Sequence, residues 1–190
     1  KRGYSGGRLL ALGLAEALAK VDIETEIFVD NIPEMYEEFR PFSKIKITPT
    51  LHFYNIFFSI DKKIDYILII PHNGRLIFYW IWILYAKACN AKIILLNFET
   101  PNWFNSLSPY KRSEALWVGW RLISKYASMI LSISKEGMDY AKEYYNNVSP
   151  NCTFNYCYPG INTIVADQTQ EYINKKKQII LLSRIDPHKN

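Results

Sequence analysis

Five short polar segments carry the side chains that could do chemistry in this 190-residue chain. The first is Gly3-Tyr4-Ser5-Gly6-Gly7. Glycines let a backbone approach a ligand, and the helix expected to follow offers free N–H groups and a positive dipole end. A phosphate or a sugar suits such a loop; a glycine turn without a ligand is the plainer reading. It is not a Walker loop, since no Gly-Lys-Ser/Thr follows, nor is it G-x-G-x-x-G. The second segment, Pro71-His72-Asn73-Gly74, puts His72 at the end of an expected strand, where it could be catalytic or merely packed. The third is Asn97-Phe98-Glu99-Thr100. A carboxylate such as Glu99 can hold sugar hydroxyls from a strand end, and it can equally cap the next helix. The fourth, Ser132-Ile133-Ser134-Lys135, offers Ser134 as a ligand contact or as a plain helix N-cap. The fifth, Tyr158-Pro159-Gly160-Ile161-Asn162, is a turn with a polar exit at Asn162. No Ser/His/Asp order, metal spacing or nucleophile elbow assembles from these segments. Asp30 could mimic the ribose-binding acid of a nicotinamide site, a minor alternative.

The elements that must position these segments alternate. Leu10, Leu14 and Leu18 recur every four residues and predict a helix over 7–20. Strands are expected at 23–29, near 45–47, and at 65–70, 92–97, 128–133 and 152–158. Helices are expected at 33–39, from the Pro-His-Asn-Gly break to about Asn90, at 110–127 and at 135–145. Thr100-Pro101 suits a helix N-cap followed by proline at the first helical position. The run Asp65-Tyr66-Ile67-Leu68-Ile69-Ile70 is apolar nearly throughout, as in parallel strands covered on both faces. Strands separated by helices imply an α/β fold with a doubly wound parallel sheet. In such sheets ligands bind beyond the C-terminal strand ends, where the five segments fall.

The polar stretch 167–177, ending in three lysines, reads as a linker. The expected organisation is one domain over 1–166, that linker, and the opening strand of a second domain over 178–190. With no strand before the glycine loop, the chain is expected to be truncated at both ends. An uncovered strand in "QIILLSR" would promote self-association.

Composition sets outer bounds. Hydrophobic residues make up 49% and charged residues 22%, the balance of a soluble globular chain. The net charge of +5 is mild and favours anionic partners only weakly; with no block of five or more like charges, a nucleic-acid arm is not expected. Three cysteines, Cys89, Cys152 and Cys157, show no C-x-x-C spacing, so no disulfide framework or zinc site is expected and a reducing compartment fits. The apolar run "LIFYWIWILYA" is too short to span a bilayer. It reads as a helix buried on a sheet, or else as one touching a membrane. Trp103, Phe104, Trp117 and Trp120 lie near Lys111, Arg112, Arg121 and Lys125; they could meet an anionic bilayer or fill the core.

Taken together, "YSGGRLLALGLAEAL", "NFETPNW", "YASMILSISKEGMDYA", "YPGIN" and "SRIDPHKN" occur in the order seen in family 4 glycosyltransferases, and the chain resembles the N-terminal half of such an enzyme. The resemblance implies a GT-B fold, in which an acceptor-side Rossmann-like domain faces a donor-binding domain. It implies a retaining, metal-independent transferase, without a cofactor, that uses a nucleotide-diphospho sugar. A glycan or lipid-linked acceptor is implied, together with a cytoplasmic location that could be peripheral at the membrane. Arg184 and Lys189 would then bind the donor diphosphate, Glu99 and His72 would be the catalytic candidates, and Ser5, Gly6, Gly7, Ser134 and Asn162 would line the acceptor and phosphate loops. Ser183 and Asn190 replace glycines usual in the family, and Glu99 stands where a histidine is common. A chain ending here is expected to be inactive alone. Alternatives are a non-catalytic sugar- or nucleotide-binding domain and the nicotinamide enzyme that rests on Asp30.

Overall fold

The structure, a computed structural model, describes residues 6–29, 45–49, 64–70, 76–98, 100–107, 111 and 114–158. Helix α1 (Gly6–Lys20) leads to β1 (Glu26–Val29), which is followed by β2 (Lys46–Pro49) and β3 (Tyr66–Ile69). Next come α2 (Leu76–Ala88), β4 (Lys92–Asn97) and α3 (Pro101–Leu107). A 3-10 turn (Glu114–Trp117) runs into α4 (Val118–Ser124), then β5 (Ala127–Ser132), α5 (Lys135–Tyr144) and β6 (Thr153–Tyr156). The fold is α/β with parallel strands. β1 pairs with β2, and a four-stranded parallel sheet has the order β3-β4-β5-β6.

Two helices end in the same way. Beyond α1, the Ile23 N–H donates to Leu18 O (3.0 Å) and the Asp22 N–H to Ala19 O (3.3 Å), with Asp22 at φ 59. Beyond α2, the Ala91 N–H donates to Ala86 O (2.8 Å) and the Asn90 N–H to Lys87 O (3.2 Å), with Asn90 at φ 54. These are Schellman closures, with Asp and Asn in the left-handed position that glycine usually holds. Closure uses the Ile23 amide, so β1 begins at Glu26 rather than at residue 23. Where β1 does begin, Glu26 lies opposite Lys46 and their side chains pair at 3.0 Å.

Helix α1 buries Leu12 and Ala15 against Ile45 and Ile47 of the first pair, with Ala19 and Ile27 beside them. A second, larger core lies on one face of the four-stranded sheet. Ile69, Ile93, Leu95 and Ile130 meet Tyr79, Ile83 and Ala86 of α2, Phe104 of α3, Trp120 and Ile123 of α4, and Ala141 of α5. On the opposite face Leu96 is buried, Ile94, Met129 and Leu131 are half-buried, and Tyr66 and Leu68 are exposed. The α/β class and the parallel sheet are as expected. The exposure of Tyr66 and Leu68 leaves β3 open on that face, although its sequence is apolar throughout.

The helix expected over 110–127 is shorter. Ala127 is wholly buried as the first residue of β5, and the Tyr126 N–H turns back to Ile123 O at 2.9 Å, so α4 stops at Ser124. The aromatic cluster belongs to the core: Phe104, Trp117 and Trp120 are buried, and Trp117 meets Trp120 edge to face at 4.9 Å. These rings are therefore not a membrane surface. Half-buried Trp103 stacks on Tyr140. The expected helix at 33–39, the linker and the strand after residue 178 lie outside the described residues. No helix among the described residues is long and apolar enough to cross a membrane.

Helices α2 and α4 approach at Gly119. A Cβ built there would lie 2.3 Å from the ring of Tyr79, which is itself only 3% exposed. Gly119→Ala should therefore destabilise the protein by about 1–3 kcal/mol despite a better helix propensity. The check is the urea midpoint; an unchanged or raised midpoint would show that the ring can move aside.

Candidate functional site

The parallel register brings three strand ends into one row, with Asn97 of β4 opposite Ser132 of β5 and Ser132 opposite Tyr156 of β6. Asn97 and Ser132 each end an apolar strand and are wholly buried. A buried amide or hydroxyl needs a partner, and here each finds one in the other. The Asn97 Nδ2 donates to Ser132 Oγ at 3.1 Å, and the Tyr145 hydroxyl donates to Asn97 Oδ1 across a longer 3.4 Å. The Cys157 N–H donates to Ser132 O at 2.9 Å, which carries the chain over the end of β5. The two adjacent strands thus finish in a fixed polar brace from which the next loops leave.

The loop after β4 enters α3 through Thr100, wholly buried, and Pro101 at the first helical position. The backbone C=O of Thr100 accepts the first helical bond, from the Phe104 N–H at 2.8 Å. Its hydroxyl does not cap the helix; it donates to Asn102 Oδ1 at 2.5 Å. Asn102, inside the first turn, accepts the Trp103 N–H at 3.0 Å on the same oxygen and so satisfies one of the helix's free amides. The other side of that carboxamide donates to Tyr140 O (3.2 Å) and Glu143 Oε2 (3.3 Å), and so fixes α3 to α5.

The loop after β5 enters α5 through Ser134, which has extended backbone and accepts the Gly137 N–H at 2.9 Å. The N-cap reading of Ser134 is the one the geometry supports. Gly137 lets the Trp103 ring lie against the start of this helix, since a Cβ there would sit 2.5 Å from it. Trp103 Nε1 is buried near this contact without a hydrogen-bond partner. The β4 and β5 loops are therefore one packed unit at the C-terminal rim of the sheet.

Of the residues singled out from sequence, Ser134 is in this unit. Gly6 and Gly7 form the first turn of α1, one residue earlier than expected. Ser5, His72, Glu99, Asn162, Arg184 and Lys189 lie outside the described residues, as does Asp30. Phe98 and Thr100, which flank Glu99, are half-buried and buried. Asn97, Ser132, Asn102 and Tyr145 were not assigned roles from sequence. The available signal was the polar residue that closes each of the runs "IILLN" and "MILS". Among the described residues no group of three His, Cys, Asp or Glu could hold a metal ion. Cys89, Cys152 and Cys157 are unpaired, and burial pushes the Cys152 thiol up.

Burial raises the phenol of Tyr145 well above 10, and the neighbouring Tyr144 adds to the effect. Tyr144 is pushed up to about 12, first by burial and then by its hydrogen bond to Glu114. Its hydroxyl donates to Glu114 Oε2 at 2.9 Å, and Arg121 holds the same carboxylate oxygen at 2.6 Å. Both phenols therefore keep their protons longer in the folded state than in the unfolded one.

No family model matches the chain, and no curated protein or solved structure matches it.

Two predictions come from this unit. Asn97→Ala leaves the Ser132 and Tyr145 hydroxyls without their buried partner and should cost about 1–3 kcal/mol of stability. In the Asn97→Ala/Ser132→Ala double variant the loss should be smaller than the sum of the single losses, since they share one bond. Strict additivity in denaturant melts would rule out the brace. The tyrosines give a pH signature. Unfolded phenols titrate near 10. Their contribution is complete below that pH and is lost as pH rises through the folded values. Denaturation midpoints should fall between about pH 10 and 12, and less steeply in Tyr145→Phe; equal slopes would assign the fall to other groups.

Proposed function

We propose that this chain is the acceptor-side half of a GT-B glycosyltransferase: retaining, metal-independent and using a nucleotide-diphospho sugar. The sugar would pass to a glycan or a lipid-linked acceptor, which would put the protein in the cytoplasm, at the membrane face when the acceptor is a lipid. One observation carries the reading. The polar segments "NFETPNW", "SISKEG" and "YPGIN" follow the C-terminal ends of β4, β5 and β6, three neighbouring parallel strands. In open α/β sheets that rim is where ligands bind. Shared order and position at this rim favour a sugar-facing cleft over an unrelated α/β domain.

Within the proposal, Glu99 and His72 handle the reacting hydroxyls. Ser5, Gly6 and Gly7 let the ligand approach the start of α1, and Asn162 contributes from the loop after β6. Ser134 acts by setting the first turn of α5 rather than by touching the sugar. Arg184 and Lys189 belong to the donor side, where an Arg fork and a Lys point charge suit a diphosphate.

The test is a panel of nucleotide-diphospho sugars, run on the protein together with its donor-binding half, reading binding and transfer. Transfer from one donor is expected. Arg184→Ala should weaken donor binding about 10- to 150-fold, which corresponds to losing one charged hydrogen bond. Lys189→Ala should also weaken it, with acceptor affinity nearly unchanged. Glu99→Gln should lower turnover more than stability. Sugar binding without transfer would favour a non-catalytic module; nicotinamide binding dependent on Asp30 would favour an oxidoreductase.

A further inference from the structure

Helix α2, "LIFYWIWILYAKA", carries no acidic residue and is apolar around most of its circumference. One side, with Tyr79, Ile83 and Ala86, is buried in the core. Another side is not covered: Ile77 is 58% exposed, Trp80 39% and Leu84 53%, with Leu76 at 43% beside them. Positions 77, 80 and 84 are spaced by three and four residues, which aligns them on one helix face over about 10 Å. The next position on that face is Lys87, exposed at the C-terminal end of the helix.

The surroundings of this stripe are aromatic and basic. Trp80 meets Tyr126 edge to face at 5.7 Å. The Lys87 ammonium lies over the same Tyr126 ring, 5.1 Å from its centre. Lys125, adjacent in the chain, is exposed. Aliphatic side chains on either side of a Trp–Tyr pair, with two cations at one end, combine the chemistries that suit acyl chains, the interface and an anionic headgroup layer. The chain's net charge of +5 acts in the same direction.

We infer that this face of α2 seats the protein on an anionic lipid surface, with Ile77, Trp80 and Leu84 entering the acyl boundary and Lys87 and Lys125 meeting headgroups. A second copy is the weaker occupant. Four side chains exposed at 39–58% offer well under the roughly 800 Å² that each partner of a stable dimer buries. The inference stands apart from the transferase reading, because lipid binding is measured without any activity.

The experiment is co-sedimentation of the full chain with phosphatidylcholine vesicles, with and without phosphatidylglycerol. Binding to the anionic vesicles is expected, weaker on neutral ones and reduced by salt. Ile77→Asp/Leu84→Asp should lower the partition roughly tenfold or more. Both side chains lie more than half outside the core, so circular dichroism and the urea midpoint should hold. Lys87→Gln and Lys125→Gln leave the apolar ridge intact and should each lose about fivefold, the equivalent of ~1 kcal/mol per basic residue. Equal sedimentation with and without anionic vesicles overturns the inference. So does a dimer, seen by analytical ultracentrifugation, that the double variant dissolves while vesicle binding is nil. Full binding retained in both sets of variants would move the lipid contact to another face.

Discussion

Parallel pairing about β4 governs this structure. Two antiparallel strands can be joined by a tight turn, but parallel strands need a return path of about a dozen residues or more, usually a helix. Each step from β3 to β4, β5 and β6 includes one: α2, then α3 with α4, then α5. Successive strands are added on the same side, and crossovers are overwhelmingly right-handed, so the returning helices fall on one face of the sheet. There they must share space. α2 packs against α4, and α3 against α5. At each of these contacts a glycine accepts an aromatic ring, Gly119 that of Tyr79 and Gly137 that of Trp103. Topology creates the crowding, and the glycines resolve it.

The same pairing explains why polar groups collect at one rim. Parallel strands present all their C-terminal ends together, so every outgoing loop begins at the same edge of the sheet. Asn97 and Ser132 occupy adjacent ends and satisfy each other in a wholly buried position. Bonded to each other, they tie the two strand ends together and set where the loops start, whereas a buried polar group left alone would cost stability. Asn102 extends the brace outward by fixing α3 to α5. A rim supported in this way suits ligand contacts carried on the loops, since positions on a rigid frame hold their geometry best.

Much of the frame was legible from sequence. Four-residue leucine spacing marked α1, and the apolar runs at 65–70 and 92–97 marked the sheet. The errors have physical origins. The strand expected at residue 23 starts at Glu26 because the Schellman closure uses the backbone of Asp22 and Ile23, and nothing in a propensity pattern shows that demand. The helix expected to reach residue 127 stops at Ser124 because Ala127 is required in the sheet. Apolar Tyr66 and Leu68 suggested a strand covered twice, but cover depends on which helices return to which face, which local pattern does not encode. At the rim, Thr100 holds the cap position before Pro101 as read, but the side-chain oxygen that takes a first-turn N–H is that of Asn102. Asn97 and Ser132 were visible only as polar residues closing apolar runs; their partnership depends on register, which no single segment contains.

The aromatic residues show the same limit most sharply. Trp117 and Trp120 lie near basic residues and still fill the core, whereas Trp80, in a more apolar segment, is partly exposed. Composition cannot separate these cases, because α2 is apolar on its buried and its exposed sides alike. Its rotation about its own axis is set by contact instead. Tyr79 seats against Gly119, and Trp82 meets Phe28 of β1 edge to face at 5.3 Å. With Tyr79 in the middle of the buried side and Trp82 on its flank, 3.6-residue periodicity leaves no freedom for Ile77, Trp80 and Leu84, which must point away from the core. The face α2 offers to its surroundings is therefore decided inside the protein, by a glycine on another helix.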